Sequence, residues 1–364
     1  MIISHVCCYD DFQSEWYKEW SDKLKLMSVD NATPLNLIPH RKNWEWHAIA
    51  QALKERGMLK PGKMGCGFAV GTEPLSSIFA NFGVQILATD QASGKNAEGW
   101  MTSGQHAASL ENIYHKGLVN RHDFDSRVRF KEVDMRKLEL PWKEQFDFIW
   151  SSCSIEHLGN LEAGWDFVIK AMELIKIGGI AVHTTEYNIT SNDLTLAEGP
   201  SVIYRKRDVE ELDRRLRRIS CGLTRCDFFP GDHQYDIEYD YEPYYKNGRP
   251  HVKLLLGGHV STSLILIIRK GCPPSVKAKL KINILKTAGE RSNYLCQRNF
   301  LGKLLFNTSG KPKKLLRNLM FHNSGKPRNI FRRWILHRNG KPRKFFQMWM
   351  SSPDYQMLPG AFIN

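Results

Sequence analysis

The side chains best suited to acid–base chemistry stand together in one polar segment near the middle of the chain. Residues 151–157 (SSCSIEH) directly follow the apolar run 146–150 (FDFIW). An imidazole, with a pKa near ~6.5, can remove a proton from a hydroxyl while the oxygen attacks an electrophile. We therefore predict His157 as a general base, and we expect Glu156 to orient a partner or to cap the helix that begins near Leu161. A structural role for both side chains is the alternative.

Two further polar clusters qualify as substrate contacts. Residues 183–188 (HTTEYN) end a later apolar run and contain Glu186, which hydrogen bonding to nearby loop backbone would explain equally well. Residues 230–236 (PGDHQYD) contain Asp232 and His233, our second candidate pair for catalysis.

Tyrosines follow the second of these clusters. Aromatic rings have an apolar face that can stack on a sugar, and neighbouring carboxylates can accept from its hydroxyls. This composition is typical of a carbohydrate pocket, although an aromatic loop with a purely structural role has the same composition. The tyrosines are Tyr239, Tyr241, Tyr244 and Tyr245.

A glycine-rich segment earlier in the chain has the composition of a nucleotide-like cofactor site. Residues 65–75 (GCGFAVGTEPL) contain Gly65, Gly67 and Gly71. Glycines let the backbone approach a ligand closely, and the first turn of a following helix directs free N–H groups at it. Asp90 ends the next predicted strand after Gly71, at the separation where a βαβ unit places an acid that accepts from ribose hydroxyls. A tight turn in an ordinary α/β protein is the alternative.

Alternating strand and helix signals must position these groups. Such alternation favours a parallel sheet with helices on both faces, and ligands bind at the carboxyl edge of such a sheet. Strands are predicted at 84–90, 128–133, 146–152, after Gly178-Gly179, at 223–229 and, antiparallel, at 260–268. Helices are predicted at 103–116, 165–174 and 209–219, the last capped by Asp208.

The order of these features resembles that of the class I S-adenosylmethionine-dependent methyltransferases over about residues 58–268. The resemblance implies S-adenosylmethionine as the cofactor, with Asp90 on the ribose, Asp134 on the adenine amine and Met135 against the adenine face. It also implies that the segment after the fourth strand faces the transferred methyl group. The remaining cofactor contacts that we predict are Gly65, Cys66, Gly67, Gly71 and Ser151.

The chain departs from the family pattern where the cofactor's amino-acid end is bound. Lys63 stands where the family usually has an acid, and Ala69 stands where a third glycine is common. Some related O-methyltransferases bind a divalent metal through Glu-x-x-Glu-His at the fourth strand. Cys153 replaces the first of these acids here, so we predict no metal, although Glu186 or His183 could supply missing ligands.

The resemblance implies a doubly wound, mostly parallel sheet of seven strands, a Rossmann-like methyltransferase fold. We expect an N-terminal helical lid rich in aromatic residues, whose tryptophans could instead pack against the sheet, and a C-terminal repeat tail. Spacing of three to four residues predicts two amphipathic helices in the lid, one through Phe12, Trp16 and Trp20 and one through Trp46, Ile49 and Leu53. The predicted segments are the lid at 1–57, the methyltransferase domain at 58–270, a linker at 271–298, helical repeats at 299–352 and an end segment at 353–364.

Composition and charge divide the chain into two parts. It has 364 residues, of which 42% are hydrophobic and 25% charged, and its net charge is +14. From Arg269 onward there are 21 Lys and Arg against two acids, a net +19, whereas the part up to Ile268 has 31 basic and 36 acidic side chains, a net −5. The basic surface therefore belongs to the tail, which argues against a nucleic-acid partner for the catalytic body.

Cysteine usage and hydropathy favour a cytoplasmic protein. The eight cysteines show no paired C-x-x-C spacing and no signal peptide precedes them, so we expect reduced thiols. The most apolar run, 254–268, is interrupted by Gly257, Gly258 and His259 and is too short to span a bilayer.

The tail contains a repeat of constant length. Gly-Lys-Pro recurs at Gly310, Gly325 and Gly340, and apolar side chains follow each copy at helical spacing with basic residues beside them. An anionic membrane surface would cover such apolar faces and attract the lysines and arginines. A helical solenoid that docks a protein partner and binding to a phosphate backbone are the competing interpretations.

The tail also suggests a substrate class. Similar Gly-Lys-Pro repeats resemble the tails of bacterial surface-glycan enzymes, which work at the inner membrane face. We therefore predict a cytoplasmic methyltransferase, peripheral on that face, that methylates a hydroxyl of a bacterial glycan or of its lipid-linked precursor. A methyltransferase for a small molecule or RNA and a non-catalytic scaffold with a vestigial cofactor fold are the alternatives.

Overall fold

A computed structural model describes residues 1–24, 39–92, 98–138, 141–244 and 249–271. The predicted linker from residue 272, the repeats, the end segment and Tyr245 lie outside these residues. Among the described residues, no helix combines the length and the apolar character that crossing a bilayer requires.

One sheet of ten strands organises the described residues. The strands are β1 (Ser4–Val6), β2 (Met64–Phe68), β3 (Gln85–Asp90), β4 (Val128–Glu132), β5 (Phe146–Ser151), β6 (Ile175–Asn188), β7 (Cys221–Leu223), β8 (Cys226–Asp227), β9 (Leu254–Leu256) and β10 (His259–Lys270). Their order is β4-β3-β2-β5-β6-β10-β1-β8, and β7 and β9 pair with β10.

Nine α-helices connect or flank these strands in the described part of the chain. They are α1 (Tyr9–Gln13), α2 (Glu15–Lys23), α3 (Arg41–Glu55), α4 (Leu75–Asn81), α5 (Glu98–Thr102), α6 (Arg121–Arg127), α7 (Leu161–Ala171), α8 (Lys206–Arg218) and α9 (Gln234–Ile237). Short 3₁₀ turns lie at Leu110–Ile113, Met135–Lys137, Ile155–His157 and Met172–Leu174.

The sheet is mixed rather than the expected sheet of seven strands. The strands β4, β3, β2, β5 and β6 run parallel, and β10 is antiparallel to β6, as predicted. The additional strands come from the N-terminus and the late loops, because β1 pairs with both β10 and β8. The strand predicted at 223–229 is instead divided, since β7 pairs with β10 and β8 pairs with β1.

Apolar side chains cover both faces of the sheet, as a doubly wound fold requires. On one face Trp44, Leu53 and Phe79 belong to a cluster contributed by α2, α3 and α4. On the other face Trp165 and Leu212 belong to a cluster contributed by α7 and α8. The two clusters leave the loops at the carboxyl ends of the parallel strands available for a site.

The N-terminal helices pack on the sheet. The predicted helix through Phe12, Trp16 and Trp20 is divided at Ser14, whose hydroxyl caps α2 by accepting from the Tyr17 N–H at 3.3 Å. Trp20 is fully buried, in agreement with the structural alternative for that tryptophan.

The helix predicted at 103–116 is wrong. The helix α5 ends at Thr102, and Gly104 follows with φ +71°, which interrupts a right-handed helix. The amide side chain of Asn112 then accepts from the Ala108 and Ser109 N–H groups, so local capping allows only a 3₁₀ turn. The helix predicted at 209–219 begins earlier, at Lys206, with Asp208 accepting from the Arg205 N–H at 2.8 Å.

Candidate functional site

A cavity of about 230 Å³ lies at the carboxyl ends of the parallel strands. Loops that follow β2, β3, β4 and β5 line it, together with the beginning of α3. Of the residues predicted from the sequence, the cavity wall contains Gly71, Asp90, Asp134, Met135 and His157. Outside the wall lie Gly65, Cys66, Gly67, Ser151, Glu156, Glu186, Asp232 and His233.

The first part of the glycine-rich segment is a strand and not a turn. Gly65, Cys66 and Gly67 lie in β2, paired with β3 and β5. A Cβ atom on Gly65 would lie 2.3 Å from the Phe148 ring, and one on Gly67 would lie 2.4 Å from the Trp150 ring. These glycines make room for aromatic side chains of β5, which corrects the prediction that they belong to the cofactor turn.

The turn itself begins at Ala69. Ala69 has φ +47° and Gly71 has φ +52°, so two nearby residues adopt the left-handed backbone conformation. A Cβ atom on Gly71 would lie 2.3 Å from the Gln105 carbonyl oxygen, which excludes a larger residue there. Both residues line the cavity, and the backbone of this loop therefore forms part of the wall.

Asp90 ends β3 and connects three loops through its carboxylate. Its Oδ2 accepts from the Gly71 N–H at 3.1 Å and the Ala107 N–H at 3.0 Å, and Oδ1 accepts from the Gln91 N–H at 2.8 Å. Burial raises its pKa, although these backbone donors oppose the shift. A carboxylate offers about four acceptor positions, so about one remains for a ligand hydroxyl. Asp90 could therefore accept from both ribose hydroxyls, as predicted, only if one acceptor position served a hydroxyl and a backbone N–H together.

Asp134 and Met135 form the wall on the far side of β3. The Asp134 carboxylate accepts from Arg136 through Nε and Nη2, each at 2.9 Å, and from the Arg136 N–H at 3.0 Å. This hydrogen bonding lowers the pKa of Asp134, which is therefore ionised at neutral pH. Oδ2 takes one of these three bonds and can accept another donor. Met135 is buried and presents an apolar surface beside it.

The cavity wall includes a buried acid that sequence reasoning missed. Glu73 is 6% exposed, and its Oε1 accepts from the Trp150 indole N–H at 2.6 Å. Burial raises its pKa to about 8. A signal was present, because Glu73 stands in the glycine-rich segment immediately before Pro74 and α4. Its indole partner comes from β5, which the segment alone does not reveal.

His157 lies between Trp100 and the loop before α8. Its Nδ1 is 2.7 Å from the Pro200 carbonyl oxygen. A carbonyl only accepts, so Nδ1 carries the proton in the neutral ring and Nε2 has the free lone pair. Trp100 meets the ring edge-on with centroids 4.7 Å apart, and Trp46 also lines the cavity.

The Ser154 hydroxyl is a buried group of the same wall that needs a partner. No hydrogen-bond partner for its Oγ lies within the described part of the chain. An unsatisfied buried hydroxyl is unfavourable unless a ligand or water completes it. This orphaned atom fits a wall that a bound molecule completes.

Behind the wall, Glu186 and Glu156 belong to a buried network. The Arg41 guanidinium forms an ion pair with Glu186, lies 3.5 Å from Glu45 Oε1, and lies 3.8 Å from Cys153 Sγ. Glu156 Oε2 accepts from the Thr185 hydroxyl at 3.0 Å, and burial raises the pKa of Glu156. These acids position the loop after β5.

Three of these side chains could together hold a metal ion. Ligand atoms of Cys153, Glu156 and Glu186 lie within 4.8 Å of one another, and all three residues are buried. The Arg41 cation already contacts two members of the set, and burial raises the pKa of the Cys153 thiol well above its usual value. The donor set is therefore neutralised by a guanidinium, and the absence of a metal stays a prediction.

Ser151 does not line the cavity. Its hydroxyl is 2.7 Å from His183 Nδ1, and both side chains are fully buried. Burial lowers the pKa of His183 to about 3, so this ring is neutral at physiological pH. The pair joins β5 to β6 and is structural.

Asp232 and His233 are exposed and lie in the insertion between β8 and β9. The His233 ring stacks on Tyr9 with centroids 3.8 Å apart, and its Nδ1 accepts from the Tyr235 N–H at 3.2 Å to cap α9. The structure does not bring this second candidate pair to the cavity, and His233 has a capping role.

Comparisons with known proteins give structural likeness alone. No protein-family model matches the chain, and no curated protein matches its sequence. Similar solved structures include a protein provisionally described as a sarcosine dimethylglycine methyltransferase from Galdieria sulphuraria, at 13% identity and a TM-score of 0.36. The aligned region covers 50% of this chain and 60% of that one.

Two other similar structures are also methyltransferases by description. Phosphoethanolamine N-methyltransferase 2 from Haemonchus contortus has 18% identity and a TM-score of 0.34, with 47% of this chain and 36% of that one covered. Magnesium protoporphyrin IX methyltransferase from Synechocystis PCC 6803 has 12% identity and a TM-score of 0.39, with 72% of this chain and 97% of that one covered. Because these values are low, the function proposed below rests on the site itself.

Proposed function

We propose that this protein is an S-adenosylmethionine-dependent methyltransferase. The observation that carries the proposal is that Asp90, Asp134 and His157 line one cavity at the carboxyl edge of the parallel strands. Ligands bind at this edge in doubly wound folds. The two acids suit a sugar and a purine amine, and the imidazole suits a proton transfer.

The wall fits the cofactor part by part. Asp134 Oδ2 can accept from an exocyclic amine, and Met135 offers an apolar surface for a purine ring. Asp90 can accept from a ribose hydroxyl through its remaining position. Because Gly71 has no side chain, the backbone of its loop can approach a ligand closely.

When bound, S-adenosylmethionine would supply a methyl group on a positively charged sulfur; an acceptor oxygen would bond to the methyl carbon, and the neutral thioether S-adenosylhomocysteine would leave. His157 is oriented by the Pro200 carbonyl, which leaves Nε2 to accept the proton that the acceptor hydroxyl loses. Trp46 and Trp100 give the cavity two aromatic side chains, which would hold an acceptor and exclude water. Alignment of the acceptor with the methyl group is the main contribution expected of such a site.

The acceptor that we propose is a hydroxyl of a bacterial glycan or of its lipid-linked precursor. The Gly-Lys-Pro repeats and the basic charge of the tail support this choice, together with the aromatic walls of the cavity. We further propose that the protein works in the cytoplasm, at the inner face of the membrane.

Titration calorimetry with S-adenosylhomocysteine tests the cofactor assignment. The unaltered protein should bind it, and Asp134→Ala should weaken binding by about tenfold or more, since a hydrogen bond to a charged group contributes about 1.5–3 kcal/mol. Asp125→Ala is the matched control, because this acid pairs with Arg121 on the surface. No binding by the unaltered protein, or equal binding by Asp134→Ala, would contradict the proposal.

Transfer of a labelled methyl group to cell-envelope extracts tests the reaction. His157→Asn should lower the rate by about 10²-fold or more, the usual contribution of a general base, with unchanged affinity for S-adenosylhomocysteine. Label in a glycan fraction would support the proposed acceptor, and label in protein or RNA alone would overturn it.

A further inference from the structure

Two side chains of opposite charge line the cavity beyond the residues assigned above. Glu73 is on the loop that follows β2, and Lys42 is in the first turn of α3. Neighbouring strands of the sheet occur in the order β4, β3, β2 and β5. Asp134 belongs to the loop that follows β4, and Asp90 lies at the end of β3. Glu73 therefore lies beyond the ribose acid, toward the loop that contains His157.

Glu73 is a buried carboxyl group with no basic partner in the described part of the chain. No Lys or Arg nitrogen lies within 4.0 Å of it among the residues that the structure describes. Its Oε1 accepts from Trp150, and a carboxylate can accept further donors. A buried carboxylate is strongly unfavourable unless a positive charge compensates it. A group of this kind in a cavity wall is a candidate ligand-binding residue.

Lys42 provides the opposite charge. Its Nζ lies 3.5 Å from Glu45 Oε2, and the side chain is 29% exposed. Glu45 is shared with Arg41 and with the Ser152 and Thr184 hydroxyls. The ammonium group has three donors, so it can also bind an anion in the cavity.

The residue that occupies the family position for an acid does not reach this region. Lys63 Nζ pairs with Asp147 Oδ1 at 2.8 Å, outside the cavity wall. Asp147 also pairs with Lys176 at 2.9 Å and accepts from the Met64 N–H at 3.0 Å. This cluster connects strands at their amino ends, and some other group must bind the charged end of the cofactor.

We propose that Glu73 binds the α-ammonium group and Lys42 binds the α-carboxylate of the cofactor's amino-acid end. This inference rests on the proposed function. A zwitterion supplies both charges that the wall requires, with the cation for Glu73 and the anion for Lys42. Glu73 thereby replaces the acid that is absent at position 63.

Ionisation of Glu73 should accompany binding. Because burial raises its pKa to about 8, the carboxyl group is largely protonated at pH 7 before the ammonium group arrives. Binding should therefore release a proton. Calorimetry of S-adenosylhomocysteine binding in buffers of different ionisation enthalpy should detect this release, and Glu73→Gln should abolish it.

Two ligands separate the amino-acid end from the nucleoside. S-adenosylhomocysteine contains the zwitterion, and 5′-methylthioadenosine lacks it. Glu73→Gln keeps an acceptor for Trp150, and Lys42→Gln keeps most of the side-chain volume. Each variant should lose about tenfold or more in affinity for S-adenosylhomocysteine, the loss typical of a charged hydrogen bond, and should bind 5′-methylthioadenosine within about twofold of the unaltered protein.

One control removes another lysine of α3, and the other removes another glutamate. Lys54→Gln removes a lysine of α3 that pairs with Glu19 on the surface, and Glu111→Gln removes an acid that pairs with Arg121. Both variants should bind the two ligands as the unaltered protein does.

The outcomes distinguish this inference from the proposed function. If the unaltered protein binds both ligands equally well, the inference is wrong and the proposed function stands. Equal losses for both ligands in Glu73→Gln would likewise overturn it. If the unaltered protein binds neither ligand, the proposed function is wrong, and the inference that rests on it is wrong as well. If a variant does not fold, the affinities of the unaltered protein for S-adenosylhomocysteine and for its deaminated analogue are compared instead. Equal affinities would overturn the role of Glu73.

Discussion

Ala69 adopts a backbone conformation that its side chain disfavours. Its φ of +47° lies in the left-handed region, where an L-residue other than glycine is destabilised by about 1–2 kcal/mol. Ala69→Gly should therefore raise the free energy of unfolding by about 0.5–1 kcal/mol, after the greater entropy of glycine in the unfolded chain is deducted. Urea unfolding at pH 7 measures the difference.

A control substitution tests whether the expected gain in stability comes from the left-handed conformation of residue 69. Ala80 lies inside α4 and is fully buried, so Ala80→Gly should lower stability by about 1 kcal/mol or more. A loss of stability in Ala69→Gly would contradict the strain that we assign to the loop.

Glu73 should make the stability of the ligand-free protein depend on pH. Burial raises its folded-state pKa to about 8 from an ordinary value of 4.5; Lys42 lowers it, and Glu45 and Asp90 raise it. Between these values the folded protein keeps a proton that the unfolded chain releases, so this contribution is complete below about pH 4.5 and is lost as pH rises through about 8. The span is at most about 5 kcal/mol, at about 1.4 kcal/mol per pKa unit.

Unfolding measured from pH 5 to 8.5 checks this dependence. The stability of the unaltered protein should fall relative to that of Glu73→Gln as pH rises, because glutamine does not titrate. Parallel curves for the two proteins would show that Glu73 titrates normally.

Some residues of the cavity wall could be predicted from the sequence, and others could not. The place of Asp90 and Asp134 in the cavity wall was predictable because Asp90 is the last residue of β3 and Asp134 comes shortly after β4, where position along the chain determines position at the sheet edge. Gly65 was placed in the turn but lies in β2, because its backbone packs against the Phe148 ring of a neighbouring strand. Glu73 was missed for the same reason, since Trp150 is 77 residues away in sequence.

The insertion between β8 and β9 is fixed by a buried ion pair. Lys253 Nζ donates to Asp236 Oδ1 at 3.0 Å and to the Cys7 carbonyl at 2.7 Å, and both charged side chains are almost completely buried. Asp236 Oδ1 also accepts from the Tyr9 N–H at 2.9 Å. The pair therefore connects the insertion to the beginning of α1.

Removing one member of this pair should be strongly destabilising. Asp236→Ala leaves the Lys253 ammonium buried without its carboxylate, which should lower the free energy of unfolding by about 3–5 kcal/mol. Asp232→Ala is the matched control earlier in the same insertion; its side chain is exposed, so the change should stay within about 0.5 kcal/mol. Denaturant unfolding compares both variants, and equal effects would contradict a specific role for the pair.

Elements with strong local patterns were predictable, and those made by distant pairing were not. The apolar run at 146–150 was sufficient to predict β5, and the helical spacing from Trp46 to Leu53 was sufficient to predict most of α3. The short strand β1 exists because β10 and β8 pair with it from the opposite end of the described chain. No local periodicity marks such a strand.

The whole molecule combines an acidic body with a basic tail. The net charge is −5 from Met1 to Ile268 and +19 over the remainder. Because the sheet ends with β10 at Lys270, a chain that stops after this residue retains every strand of the sheet that the structure describes. Truncation there can separate the function of the tail from that of the cavity.

We predict that removing the residues after Lys270 abolishes flotation with anionic vesicles and leaves the affinity for S-adenosylhomocysteine unchanged. Each basic residue near an anionic surface contributes about 1 kcal/mol, so vesicles of phosphatidylglycerol should bind the full chain more strongly than vesicles of phosphatidylcholine, with less binding at high salt. Replacing Lys311, Lys326 and Lys341 with Gln should weaken binding in the full chain while retaining its apolar residues. Equal flotation of the full and truncated chains would exclude the membrane as the partner of the tail, and a protein partner would then be the better explanation of its charge.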